Sequence, residues 1–130
     1  MTKYLAKIIA SDRGGLQMIS ACSSGAKVKI ADIKYLKSSK VFLLSIQRAK
    51  IENDQDRKII NSIIAFHFVD KVRSKNIDQS NLKKVLELIG IDYLKNNDDY
   101  EINLIFNNNA HIALTTETIE VRLEDQNEIK

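Results

Sequence analysis

Alternation of apolar and polar residues dominates the chain and predicts that most of it forms strands. Tyr100, Ile102, Leu104 and Phe106 alternate with polar residues, as expected for a half-buried strand. Beyond residue 112 the alternation continues, but residues 119–123 follow it in the opposite phase, so a bend, bulge or turn is expected near 116–118. Similar patterns assign strands to residues 3–10, 26–33, 41–52, 100–106, 112–114 and 119–123.

Turn residues separate these strands. Three consecutive asparagines occupy positions 107–109, and asparagine tolerates the positive φ of tight turns. Residues 36–40 include two serines and are expected to connect strands 26–33 and 41–52 as a hairpin.

One segment has helical spacing. Leu16, Ile19 and Cys22 recur at helical intervals, and Asp12 precedes them as an N-cap. Gly25 stands where a glycine commonly ends a helix. A helix is therefore predicted over residues 13–24.

Two apolar runs, at residues 58–75 and 80–94, fit either periodicity. Their β-branched and aromatic residues favour strands, the first bulged near Asp70 because this acid interrupts the apolar face. Ser80 is also a suitable cap for a helix, so a second short helix stays open.

Together these elements predict an α+β fold. Its main feature is a curved antiparallel sheet, roll-like or barrel-like, with one N-terminal helix after the first strand. The length of 130 residues suits a single domain. Residues 126–130 are polar and are expected to form a frayed tail.

Composition indicates in which cellular compartment the protein is expected. One cysteine rules out an internal disulfide, and there is neither a membrane-length apolar run nor a signal-peptide pattern. We expect a cytoplasmic protein with no membrane association.

Charge is divided unevenly along the chain. Residues 1–50 have a formal charge of +8 and residues 51–130 one of −5, giving the net +3. Either the first half forms a basic binding face, or the two halves pack together and neutralise each other. The second interpretation is favoured.

Few residues suggest catalysis. His67 and His111 lack metal-ligand spacing, and Cys22 lies on an apolar stripe without a nearby base. Asp98 and Asp99 lie in a polar turn where both are solvated. No phosphate loop is present, although a strand-to-helix turn at residues 12–15 contains two glycines. Neither a cofactor nor a metal is expected.

Binding residues are easier to nominate. Lys27 and Lys29 share one face of a predicted basic hairpin that also carries Arg48, and such a hairpin suits nucleic acid. His67, Lys71 and Arg73 share the outer face of another strand, where a phosphate or carboxylate could bind.

Several segments, taken in order, resemble an alphaproteobacterial family of proteins of unknown function. They are YLAKIIASDRGGLQMISACSSGAKVKIADIKYL, VFLLSIQRAKIE, HFVDKVRSKNID, VLELIGIDYL and IALTTETIEVRLED. The resemblance implies a small, single-domain cytoplasmic protein and implies no activity.

Three functions therefore stand in order. The first is a non-enzymatic module that binds a protein or peptide through a sheet face or edge, with a homo-oligomer as one form of partner. The second is nucleic-acid binding through the basic hairpin. The third is a small-ligand binder or enzyme that uses His67, Asp70 or Arg73.

Overall fold

Ten strands and one α-helix form the described part of the chain. The computed structural model describes residues 5–51 and 57–129. The helix α1 spans Arg13–Ser23, and single 3-10 turns lie at Ile30–Asp32 and Lys37–Ser39. The strands are β1 Lys7–Ala10, β2 Lys27–Lys29, β3 Ile33–Leu36, β4 Val41–Ile51, β5 Arg57–Phe66, β6 Val69–Lys75, β7 Val85–Lys95, β8 Tyr100–Phe106, β9 His111–Thr116 and β10 Val121–Ile129.

All strand pairs are antiparallel and belong to one curved sheet. The strand order is β1-β10-β5-β4-β2-β7-β8-β9-β6, and β3 pairs with β4 beside β2. The described sheet does not close into a barrel, because β1 and β6 remain at its two ends. This confirms the α+β fold with a curved sheet and a helix after the first strand.

Two predicted strands are each divided in two. The segment 26–33 is interrupted by the turn Ile30–Asp32, so that β2 pairs with β7 whereas β3 pairs with β4. The segment 58–75 breaks at Phe68, which has a φ of 59°. A strand cannot continue through a left-handed residue, so β5 and β6 leave it in different directions.

The remaining ambiguous segments are strands, as predicted. The register of β6 on β9 shifts between Val69 and Lys71, which places the exposed Asp70 in the expected bulge. Ser80 caps no helix among the described residues. Instead its amide and hydroxyl both donate to the Asp78 carboxylate.

The helix begins and ends where the sequence indicates. The Asp12 carboxylate accepts a hydrogen bond from the Gly15 amide at 2.8 Å, and Gly25 follows the helix with a φ of 84°. Leu16 and Ile19 are fully buried beneath it. The Ser20 hydroxyl accepts from the Ile91 amide at 2.9 Å and ties the helix to β7.

A single apolar cluster fills the concave side of the sheet. Alternate residues of each long strand face it, as the period of two requires, and Phe42 and Phe66 meet at 6.1 Å between ring centroids. The helix covers part of this cluster with Leu16 and Ile19.

The end of β10 differs from the frayed tail that its polarity suggested. The strand continues to Ile129, and residues beyond a bulge near Gln126 pair with β5. The Asn61 amide donates to the Asn127 side chain at 3.1 Å. Side-chain amides thus add a bond across the two strands beyond the backbone pairing.

Candidate functional site

Arg48 lies inside the fold, bound to an acid. Its guanidinium donates to both carboxylate oxygens of Asp125, from Nε at 3.0 Å and from Nη2 at 2.7 Å. The Ser62 hydroxyl and the Ala6 amide donate to the same carboxylate at 2.6 and 2.8 Å. Arg48 and Asp125 are each only 6% exposed. This network joins β4, β5, β10 and the segment before β1, and it leaves Arg48 no free face for a ligand.

Asp125 is ionised at neutral pH. Burial alone raises the pKa of a carboxyl group. The hydrogen bonds from Arg48, Ser62 and the Ala6 amide outweigh that effect and hold the pKa of Asp125 below its ordinary value. The pair is therefore charged on both sides, and the carboxylate accepts four hydrogen bonds, which offset the cost of burying it.

An apolar groove opens between β3 and β6, and we call it the edge slot. It has a volume of about 330 Å³. Phe42 and Ile112 form its floor and are buried, while the half-buried Ile33, Tyr35 and Val72 and the exposed Ser74 form its walls. The lining residues are Ile30, Ile33, Tyr35, Phe42, Val72, Ser74, Ile77, Gln79, Leu82 and Ile112.

Hydrogen bonds hold the two ends of the edge slot. At one end the Tyr35 hydroxyl donates to the Val69 carbonyl at 2.7 Å, and the Val69 amide donates to the Lys40 carbonyl at 2.8 Å. At the other end the connection between β6 and β7 bonds to the 3-10 turn, where the Ala31 amide donates to the Leu82 carbonyl. Strand β3 and the facing part of β6 lie between these two points.

Basic side chains flank the edge slot on its outer side. Lys71, Arg73 and Lys75 alternate with Val72 and Ser74 along β6 and are exposed. The exposed Lys34 has the same outward position on β3. Arg73 is bonded to Glu101 of β8, whereas no carboxylate of the described residues pairs with Lys34, Lys71 or Lys75.

Lys40 forms two ion pairs near the end of the edge slot where Tyr35 bonds to Val69. Its ammonium lies 2.9 Å from the Asp70 carboxylate and 3.1 Å from that of Glu117. Hydrogen bonds to these two acids raise the pKa of Lys40. Asp70 is therefore an exposed partner of a lysine and not part of a catalytic pair with Arg73.

A second groove contains Lys27 and Lys29, and we call it the amide groove. It has a volume of about 310 Å³ on the outer face of the sheet. Lys27 is bound to Glu87 at 2.9 Å, and Asp32 also lines the groove. Its other polar lining residues are Ser45, Gln47, Asn61, Ser62, Gln126 and Asn127. Lys27 is thus paired with an acid and a second acid lines the groove, which weakens the attraction for a polyanion.

The structure keeps the histidines and the cysteine apart. His67 lies 4.0 Å from Glu120, and the His111 ring bonds to the Asn103 side chain at 2.9 Å. Cys22 is half-buried against the core. Within residues 5–51 and 57–129, no three metal-ligating side chains come together.

Comparison with known protein families gives one match. The family model described as "Protein of unknown function (DUF2948)" matches residues 6–130. The chain belongs to the DUF2948 family. Neither the curated proteins nor the solved structures gave a match.

Membership in DUF2948 confirms the resemblance found in the sequence and adds no activity to it. It covers every strand and the helix, so the edge slot and the amide groove both lie within the matched region. The only α-helix of the described residues has eleven residues and falls short of a bilayer-spanning helix.

Sequence reasoning missed the apolar part of the edge slot in this DUF2948 chain. It selected Lys71 and Arg73 but not Tyr35, Val72 or Ile112. Apolar residues at alternating positions look like ordinary core. Only the division of residues 26–33 and 58–75 into separate strands, at the turn Ile30–Asp32 and at Phe68, leaves the two edges facing a gap.

Proposed function

We propose that this protein is a non-enzymatic binding module that holds an extended, acidic and apolar segment of a partner protein in the edge slot. The carrying observation is an apolar groove open between the edges of two strands. Binding grooves of this kind commonly combine an apolar floor with a few polar groups at the rim. We place the activity in the cytoplasm and in a single domain.

Charge supports the choice of an acidic occupant. Lys34, Lys71 and Lys75 flank the slot without a described carboxylate partner, and complementary charges on a partner speed association and exclude wrong partners. Apolar side chains of the segment would cover Phe42 and Ile112, whereas its acidic side chains would face the lysines.

Nucleic acid is the weaker alternative. The residues expected to bind it, Lys27 and Lys29, share the amide groove with Asp32, and Lys27 is already paired with Glu87. Polyanion binding relies on uncompensated cations. A second copy of the chain is another candidate occupant of the edge slot, and the oligomeric state of the purified protein distinguishes this case.

The test uses two labelled peptides of seven residues, the length of β6. One alternates valine with glutamate and the other alternates valine with lysine. Fluorescence anisotropy should show binding of the glutamate peptide only, weakening as salt is added because exposed charges are screened. A labelled single-stranded oligonucleotide serves as the nucleic-acid probe.

Matched serine variants locate the site. Ser74 lines the edge slot and Ser45 lines the amide groove. Ser74→Tyr should fill the slot and abolish peptide binding, whereas Ser45→Tyr should leave it unchanged. The reverse result, or binding of the oligonucleotide in preference to the peptide, contradicts the proposal.

Charge reversal tests the basic rim. Lys71→Glu should weaken binding of the glutamate peptide by about tenfold. Lys7→Glu changes an exposed lysine on the opposite edge strand and should have no effect. If the purified protein is instead a dimer that Ser74→Tyr dissociates, the occupant is a second copy and the heterologous segment is excluded.

A further inference from the structure

The two strands that border the edge slot are both unpaired on the side facing it. Among the described strands, β6 pairs only with β9, and β3 pairs only with β4. Backbone donors and acceptors along such edges can pair with another chain.

β3 and β6 do not pair with each other, and the edge slot lies between them. The Tyr35 side chain extends from β3 to reach the Val69 carbonyl of β6. No backbone hydrogen bond of the described residues joins β3 to β6, so the β6 edge along Val72 and Ser74 is open to another strand.

Side-chain alternation on the two edges has the same sense. Along β6, Val72 and Ser74 line the slot while Lys71 and Arg73 face outward. On β3, Tyr35 lines the slot while Lys34 is exposed. A strand placed beside β6 would alternate likewise, with one set of side chains over Phe42 and the other beside the lysines.

We propose that the partner segment binds as an added strand along the edge of β6, through backbone hydrogen bonds. This inference rests on the proposed function and specifies how the segment is held. Backbone pairing supplies affinity that does not depend on sequence, and alternate side chains supply selectivity. The segment is therefore recognised by its alternating apolar and acidic residues.

The lysines on these edges suit such a mechanism. Lysine on an exposed edge commonly prevents pairing between neutral strands, because the charge must be desolvated. The β6 edge carries Lys71, Arg73 and Lys75, of which Arg73 already has Glu101 as its partner. A strand with acidic side chains at the outward positions pairs with these lysines and offsets the cost of desolvating them. An apolar or basic strand does not offset that cost.

A backbone-methylation series tests the added strand. Each variant of the valine–glutamate peptide has one amide replaced by its N-methyl form, which cannot donate a hydrogen bond. In a strand paired on one side, only alternate amides donate to the neighbour. Methylation at every second position should weaken binding to the wild-type protein by about tenfold, and methylation at the intervening positions should have little effect.

A second readout uses the protein backbone. Amide hydrogen exchange of β6 should slow when the unmodified peptide is bound, while exchange of the opposite edge strand β1 should not change. Ser74→Tyr should prevent peptide binding, so amide exchange of β6 should not slow in this variant when the peptide is added.

The outcomes separate the two proposals. Alternating sensitivity with protection of β6 supports the added strand. If the unmodified peptide binds and Ser74→Tyr abolishes binding, but methylation acts equally at all positions or β6 gains no protection, the added strand is overturned and the proposed function stands. If no peptide binds, both are overturned.

Discussion

At the scale of single residues, the ion pair of Arg48 and Asp125 places two charges inside the fold, where hydrogen bonds must compensate for the lost water. Both charges lose water, and only their mutual hydrogen bonds, with those from Ser62 and Ala6, offset the loss. Removing one partner leaves the other charge buried and alone.

Asp125→Asn should therefore lower the free energy of unfolding by about 3–5 kcal/mol, as for other broken buried pairs. Chemical denaturation measures the change. Glu87→Gln breaks the exposed pair with Lys27 and is the matched control, expected to cost less than about 1 kcal/mol. Equal costs for the two variants would show that burial of the Arg48 pair adds nothing.

Replacing both partners should cost much less than replacing one. Arg48→Met combined with Asp125→Leu removes the two charges together, and apolar substitutes for buried ion pairs are often neutral. The double variant should be more stable than Asp125→Asn in the same denaturation experiment. A double variant less stable than the single one would mean that the network does more than satisfy its own charges.

Acid should weaken the fold through the same carboxylate. The folded-state pKa of Asp125 lies below its ordinary value of 3.8, so the ionised group stabilises the fold above that value. This contribution falls as pH drops through the ordinary value towards the folded-state pKa. Unfolding free energies measured against pH should show a steeper loss in the wild type than in the Arg48→Met/Asp125→Leu variant. Parallel curves would contradict the assignment.

At the scale of elements, the first turn of α1 places two neighbouring glycines in different surroundings. A Cβ on Gly15 would lie 2.9 Å from two atoms of Ala10 in β1, whereas a Cβ on Gly14 would meet only an Asp12 oxygen at 3.8 Å. The helix thus approaches β1 closely at Gly15 and not at Gly14.

Alanine at these two positions should have opposite effects. Gly14→Ala should raise the free energy of unfolding by about 0.5–1 kcal/mol, because alanine favours the helix. Gly15→Ala should lower it by about 1–2 kcal/mol, because the contact with Ala10 forces the helix away from the strand. Urea unfolding of the two variants checks the difference in sign, and stabilisation by both would mean that the close approach is not maintained in solution.

The sequence predicts individual elements well where local chemistry decides them. Asp12 and Gly25 bound the helix, and Asn108 and Asn109 adopt positive φ in the turn after β8. It predicts the edge slot poorly. The slot requires β2 and β3 to take different neighbours, and pairing between distant strands leaves no mark on the local pattern of Ile30 or Ile33.

At the scale of the whole molecule, folding brings part of the basic first half of the chain against acids of the second half. Lys27, Lys40 and Arg48 come from the basic first half, and each meets an acid of the second half. This agrees with the favoured interpretation that the halves neutralise each other. The predicted hairpin is therefore not uniformly basic, although Lys29, Lys34 and Lys37 have no carboxylate partner among the described residues.

Protection from hydrogen exchange should follow the order of strands across the sheet. Strands β4 and β5 have neighbours on both sides, whereas β1 and β6 have one. Amides of β4 and β5 should exchange only through the largest openings, and alternate amides of β1 and β6 should exchange much faster. Mass spectrometry of exchanged peptides can measure this. Uniform protection of β6 in the isolated protein would mean that its edge is already covered.

The bond between the Ala6 amide and Asp125 has a consequence for the order of events during synthesis. These residues are 119 positions apart, and β1 has β10 as its only described partner. A nascent chain emerges at only about 5–20 residues per second. During synthesis, β1 therefore remains without β10, and Arg48 without Asp125, for several seconds. The pair of Arg48 and Asp125 can therefore close only after β10 has been made, when the other described strands have already been synthesised.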